Sequence, residues 1–140
     1  MGRVIGIDFG ERRIGIAVSD ETETISSVVS GIEVGSIKDC IDNVKAAAEE
    51  YKAKEIVVGL PINMDGSKGP SAEKAINFCE KLKQELSIPV LTYDERLTTK
   101  QGESILLSAD MSRAKRKKKI DKLAAQIMLQ GYLDSKKKGD

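Results

Sequence analysis

An apolar strand that ends in a carboxylate and then doubles back on itself is the tightest constraint in this sequence. Val4 to Asp20, VIGIDFGERRIGIAVSD, holds two apolar runs bounded by glycines with a GER turn between them. That pattern predicts two adjacent strands joined by a tight hairpin, with Asp8 just before the turn. With a period of two, Val4, Gly6 and Asp8 share one face and Ile5, Ile7 and Phe9 the other. Gly6 then leaves space beside the carboxylate for something bulky, such as a metal ion or a phosphate. An Asp at a strand end also serves as a plain turn cap, and the hairpin by itself leaves both roles open.

The rest of the composition narrows the chemistry. A chain of 140 residues, 40% of them hydrophobic, is expected to form one domain that buries roughly two-thirds of its unfolded surface. The domain is assigned to residues 1–135, with residues 136–140 as a basic C-terminal tail. Cys40 and Cys79 fall at apolar positions of helix-like segments and show no zinc spacing, so buried thiols are expected. No apolar run approaches membrane-spanning length, and neither a secretory leader nor a myristoylation signal is recognised at the start. A soluble, cytoplasmic protein without a membrane partner is the expectation.

The sequence contains no histidine. Ser-His-Asp and Cys-His nucleophiles, histidine bases and histidine metal ligands are thereby excluded together, and carboxylates are left to carry any catalysis. Net charge is only +1, but residues 113 to 140 hold ten Lys/Arg against three Asp/Glu. A segment so basic on an otherwise acidic chain suits contact with a polyanion, and equally a solvated surface. With five aromatics and no Trp, there are few platforms for stacking bases, so recognition through backbone charge and shape is expected.

Along the chain, Ile25 to Val34 is β-branched and ends at Gly35, which suits a third, antiparallel strand. Ser36 with Asp39 forms a capping pair for a helix whose apolar face is Ile37, Cys40, Ile41, Val44, Ala48 and Tyr51. Glu55 to Leu60, stopped by Pro61, has the pattern of a strand covered on both faces. Pro61 to Pro70 is an aperiodic loop at its carboxyl end. Ser71 is expected to cap a second helix with Ala72, Ala75, Ile76, Cys79, Leu82 and Leu86 inward, and Pro89 to Tyr93 returns as another parallel strand. Thr98 or Thr99 can cap a short helix that contains Ile105, Leu106 and Leu107 and is weakened by Gly102. Lys115 to Lys119, KRKKK, then leads into a last helix with Ile120, Leu123, Ala124, Ile127 and Met128 on its apolar face. The order is βββαβαβ followed by helices.

In an open α/β sheet, ligands collect beyond the carboxyl ends of parallel strands, where Asp8, Gly59 and Asp94-Glu95 stand. With the first strand central, Asp8 and the acidic pair begin roughly 10 Å apart, two strand spacings, with side-chain-free Gly59 between them. Alternation from Val90 to Glu95 sends Asp94 and Glu95 to opposite faces. Asp121 is the odd acid among seven basic residues from Arg113 to Lys122, beside Ala124 and Ala125, which permit close approach to the sheet. Carboxylates on three elements repel unless a cation neutralises them, and Mg²⁺ or Mn²⁺ with oxygen ligands is expected. Two such ions about 4 Å apart clamp phosphodiester hydrolysis.

GIDFGERRIGIAVSD, VGLPINMDG, YDERLTT and KKKIDKLAAQIMLQGYL stand in the order seen in the YqgF/RuvX family, and the resemblance covers nearly the whole chain. That family resembles Holliday-junction resolvases of the RNase H-like superfamily and is regarded as maturing the 5′ end of pre-16S ribosomal RNA. The resemblance implies an α/β, RNase H-like single domain, with a mixed five-stranded sheet of order 3-2-1-4-5, strand 2 antiparallel, flanked by helices. It implies a metal-dependent nuclease with structured precursor rRNA or branched DNA as partner. Asp8, Glu95 and Asp121 are the implied catalytic and metal-binding acids, with Asp94 as the alternative within its pair. Arg96, Arg113, Lys115, Arg116, Lys117, Lys118 and Lys119 are the nucleic-acid-binding candidates. The related resolvases carry an acid on the fourth strand that Gly59-Leu60-Pro61 lacks, so the second ligand must come from the fifth strand. Two other classes stay in view. Asp8, Gly10 and Gly15 also resemble the first phosphate loop of actin-like and sugar-kinase ATPases, which need two such domains. A non-catalytic nucleic-acid-binding regulatory factor would account for the basic run alone.

Overall fold

A computed structural model of the chain describes residues 2–9, 13–33, 36–61, 65–94 and 113–137, with the backbone alone at 13, 30–33, 113–123 and 137. Five strands, β1 (Arg3–Phe9), β2 (Arg13–Ser19), β3 (Ser26–Glu33), β4 (Ala53–Leu60) and β5 (Val90–Asp94), form one sheet. Three described helices flank it: α1 (Ile37–Glu50), α2 (Pro70–Glu85) and α3 (Arg113–Lys137). The strand order is β3-β2-β1-β4-β5, with β2 antiparallel to both neighbours and β1, β4 and β5 mutually parallel. This is the expected mixed sheet. The carboxyl ends of β1, β4 and β5 therefore open on one side of the molecule.

Alternation along β1 sorts the two cores as the sequence implies. Ile5, Ile7 and Phe9 enter the larger cluster with Cys40 and Val44 of α1 and Phe78, Cys79 and Leu82 of α2. Val4 lies on the other face with Ala17, Val57 and the α3 residues Ala125, Met128, Leu129 and Leu133. Phe78, absent from the expected apolar face of α2, is its largest contribution: its ring stacks on Phe9 with centroids 4.8 Å apart. The cap of α1 is as expected, with the Ser36 hydroxyl accepting from the Asp39 amide at 3.1 Å. The cap of α2 is not Ser71. Gly69 is the N-cap and Pro70 the first helical residue, where its missing N–H costs nothing.

Both cysteines are buried and free. Burial pushes the Cys79 thiol up to about 11, and burial likewise raises Cys40. Both shifts disfavour the thiolate, the form in which a cysteine acts as a nucleophile.

The face that α3 presents to the sheet differs from the expected one. Ala125, Met128, Leu129 and Leu133 are buried, while Ala124 and Ile127 are only half-buried. Apolar residues surround this part of the helix, so periodicity alone does not fix its rotation; contact with the strand glycines does. A Cβ placed on Gly15 would lie 3.2 Å from the Ala125 Cβ, and one on Gly6 would lie 2.8 Å from the Leu129 Cβ. The space beside Gly6 is thus filled by leucine and is not a berth for a metal or phosphate, which corrects the expectation from the hairpin.

Lys136 and Lys137 belong to the last helix, and residues 138–140 lie outside the described residues. Helix α3 continues through Lys137. The Lys136 ammonium lies 2.9 Å from both Glu23 and Glu55 and 5.3 Å from the centre of the Tyr132 ring. Desolvation acts against its charge, but the bonds to Glu55 and Glu23 outweigh it and hold Lys136 above the ordinary lysine range. The basic run Lys115–Lys119 lies inside the helix, which begins at Arg113. The short helix expected between Thr98 and Leu107 falls outside the described residues.

Gly6→Ala tests the close approach directly. The new methyl meets the root of the Leu129 side chain, which cannot swing away, so overpacking is expected to cost about 1–3 kcal/mol in urea unfolding.

Candidate active site at the carboxyl ends of the strands

Asp8 is the penultimate residue of β1 and is half-buried. Its ladder partners are glycines on both sides: Gly15 across the antiparallel pair and Gly59 across the parallel one. No neighbouring side chain on the sheet crowds the carboxylate. Gly15, which the sequence also suggests as part of a phosphate loop, is instead a packing glycine of β2, and its Cβ position is taken up by Ala125. Among the described residues, none donates a hydrogen bond to the Asp8 carboxylate or pairs with it.

Helix α3 runs antiparallel to β1 across this face, since Leu129 lies over Gly6 and Ala125 lies over Gly15 beside Asp8. Residues 125, 129 and 133 form a buried stripe at four-residue steps. Position 121 continues that stripe by one turn, about 6 Å further along the axis, and so advances past the level of Asp8 toward the open strand ends. The backbone of Asp121 thus belongs to the turn next to Asp8.

On β5 the register runs Asp8, Gly59, Tyr93 across three strands, and Asp94 pairs with Leu60. Tyr93 packs with the α3 cluster and Val90 with the α1–α2 cluster. Strand alternation then puts Asp94 on the face with Val90, opposite to Asp8. Glu95 and Arg96 lie outside the described residues, as do the side chains of Asp121 and of the basic run from Arg113 to Lys119. Among the described residues no group of three acidic or thiol side chains could hold a metal ion.

Sequence reasoning missed the polar contacts that seat α3. The Ser26 amide donates to Gln130 Oε1 at 3.0 Å, and the Ser26 hydroxyl donates to the Gln126 carbonyl at 2.7 Å. Gln126 Nε2 donates to the Ser26 carbonyl at 3.1 Å, and Gln130 Nε2 to the Thr24 carbonyl at 2.8 Å. The two glutamines are four apart on one helix face, which marks a polar stripe, but nothing local tells what they meet. The turn that presents these groups is itself fixed by Asp20, whose carboxylate accepts from the Thr22 hydroxyl and the Thr24 and Ile25 amides. Those bonds, Thr22 foremost, lower its pKa to about 2.

The sheet order and the helices on its two faces give an RNase H-like fold. The fowlpox virus Holliday junction resolvase superposes with a TM-score of 0.56 at 14% identity, over 95% of this chain and 99% of that one. The yeast mitochondrial resolvase Ydc2 gives 0.52 at 13% identity, over 94% of this chain and 78% of that one. Residues 2–135 match the RuvX family, described as Holliday junction resolvase, and the chain belongs to that family. Relatives named "putative pre-16S rRNA nuclease" include one from Clostridioides difficile, 52% identical over 136 residues, covering 96% of each chain. Another, from Caldanaerobacter subterraneus, is 50% identical over 136 residues, covering 96% of this chain and 98% of that protein.

The face on which β5 places Asp94, with the sequence alternation expected to send Glu95 the other way, leads to an asymmetric outcome in Mn²⁺ titrations followed by calorimetry. Glu95→Gln is expected to weaken binding at least tenfold and Asp94→Asn to leave it within about twofold. A larger loss from Asp94→Asn would exchange the two assignments.

Proposed function

We propose that this protein is a divalent-cation-dependent nuclease that hydrolyses phosphodiester bonds of structured RNA, acting at the 5′ end of precursor 16S rRNA in the cytoplasm. The observation that carries the reading is Asp8: a half-buried carboxylate flanked by glycines at the carboxyl end of the central strand, with the turn of α3 that bears Asp121 beside it. The names of the 50–52% identical relatives supply the substrate.

Asp8, Glu95 and Asp121 are the oxygen ligands in this reading, and their hard donors suit Mg²⁺ or Mn²⁺, two ions being the expected number. Divalent ions held by these acids would supply Lewis-acid polarisation of a phosphodiester. The protein's own part is positional. Asp8 sits on the rigid central strand, Glu95 follows β5, with the alternation in sequence sending it to the face opposite Asp94, and Asp121 rides on α3. Arg96, Arg113, Lys115, Arg116, Lys117, Lys118 and Lys119 hold the substrate backbone by charge, without reading bases. The lack of histidine leaves carboxylates and solvent to carry the protons.

The family's description favours a second reading, cleavage of a four-way DNA junction. Incubation of the purified protein with precursor rRNA and with a four-way junction, in Mg²⁺, Mn²⁺ and EDTA, separates the two and also the non-catalytic alternative. Cleavage of the RNA alone, abolished by EDTA, is expected. Asp8→Asn keeps the side-chain volume and removes the charge, so it should lower cleavage by at least a thousandfold while the unfolding transition stays in place. Metal-dependent activity retained in that variant would overturn the assignment.

Replacing Lys117, Lys118 and Lys119 together with Gln should leave Mn²⁺ binding intact. Each phosphate contact contributes about 0.9 to the slope of log K against log salt on duplexes and about 0.7 on single strands. Loss of three should flatten the slope by roughly two to three, and an unchanged slope would make the run ordinary surface.

A further inference from the structure

We infer that Gln130 and Gln126 are positioning residues for the metal-binding acids: they set the rotation of α3 and thereby the place of Asp121 relative to Asp8. The inference rests on the proposed metal-dependent reading and adds to it a device outside the strand ends.

The apolar contacts of α3 are close but not directional. Ala125 against Gly15 and Leu129 against Gly6 limit how far the helix stands from the sheet. They choose which face of the helix meets the sheet but resist small rolls about that setting only weakly, because dispersion contacts change gradually with angle. The hydrogen bonds to the start of β3 behave differently. Gln130 accepts from the Ser26 amide and donates to the Thr24 carbonyl, while Gln126 donates to the Ser26 carbonyl and its own carbonyl accepts the Ser26 hydroxyl. Four directional bonds from two successive turns thus grip one short stretch of backbone beside the sheet. They use the amide, carbonyl and hydroxyl of Ser26 and the carbonyl of Thr24, at the point where the β2–β3 turn enters β3.

A modest roll matters at position 121. A side-chain end some 5–6 Å from the helix axis moves about 2 Å for a 20° rotation. That exceeds the roughly 0.5 Å within which a metal or catalytic constellation has to be held. Gln126 is the residue after Ala125, which sits beside Asp8, so the grip acts little more than one turn from Asp121.

The test compares Gln130→Met, which keeps the length and apolar volume of the side chain and loses its bonds to Ser26 and Thr24 together with the one to Asp134, with Lys136→Met. The second variant loosens the far end of the same helix, about 22 Å along the axis from position 121. Mn²⁺ binding is measured by titration with the free ion counted by its electron paramagnetic resonance signal, next to thermal unfolding and the split of kcat and KM on RNA. Gln130→Met is expected to weaken Mn²⁺ binding about tenfold and to lower kcat with KM little changed. Lys136→Met should reduce the unfolding temperature and leave Mn²⁺ affinity within twofold. Ser26→Ala, which removes only the hydroxyl's contacts with Gln126 and Gln130, should weaken binding about threefold, and Ser26→Thr, which keeps the hydroxyl, should restore it. Equal Mn²⁺ affinity in wild type and Gln130→Met would overturn the positioning role and leave the metal reading standing. Equal losses in Gln130→Met and Lys136→Met would reduce the grip to general stability. A wild-type protein that binds no Mn²⁺ would instead overturn the metal reading itself, and this role with it.

Discussion

The contact of α3 with the first hairpin, made possible by Gly6 and Gly15, is the constraint from which the rest of the architecture follows. At both positions a methyl group would stand closer to the helix than carbon atoms comfortably approach. The glycines here supply proximity rather than unusual backbone angles. Because the helix comes so near, β1 and β2 are covered on this face by one element, and the short side chains of Ala17 and Ala125 complete a thin second core. The opposite face carries the bulkier cluster under α1 and α2. Packing at interior density on both sides makes β1 a rigid base for Asp8.

Helix α3 divides along its length into parts with different tasks. Its far end is tied down by Lys136 between Glu23 and Glu55, by Lys54 on Glu23, and by Tyr132, which donates to Glu55 and meets Tyr93 edge-on. Each exposed ion pair is individually weak. Their convergence on two carboxylates brings the start of β4, the β2–β3 turn and the helix end together. The middle of the helix packs on the glycines and grips Ser26. The first part carries the positive charge and Asp121. The charge asymmetry along the chain therefore maps onto one helix, whose acid-bearing turn adjoins the open strand ends while its C-terminal lysine is spent on anchoring.

The arrangement separates stability from the chemistry proposed for this family member. The strand ends hold glycines and a half-buried acid where a packed domain would otherwise place apolar side chains. The cost in packing falls there, and compensation comes from the fully buried Ile5, Ile7, Ile56, Leu82 and Leu133 further inside.

Much of this was legible in the sequence. Period-two alternation determined which side of β1 holds Asp8, and helix signals at Ser36 and the apolar face of α1 determined the first crossover. Both depend on interactions within a few residues, so local pattern suffices. Four ordered motifs carried the family, and with it the strand order. Only the tertiary structure decided that Leu129 fills the space beside Gly6, that Ala125 rather than Ala124 faces the sheet, that Lys136 is anchored and that Gln126 and Gln130 grip Ser26. Each of these joins residues about a hundred positions apart, with Lys136 and Glu55 still 81 apart. A helix ringed by apolar residues has several rotations of similar periodicity, and the sheet it lands on selects among them.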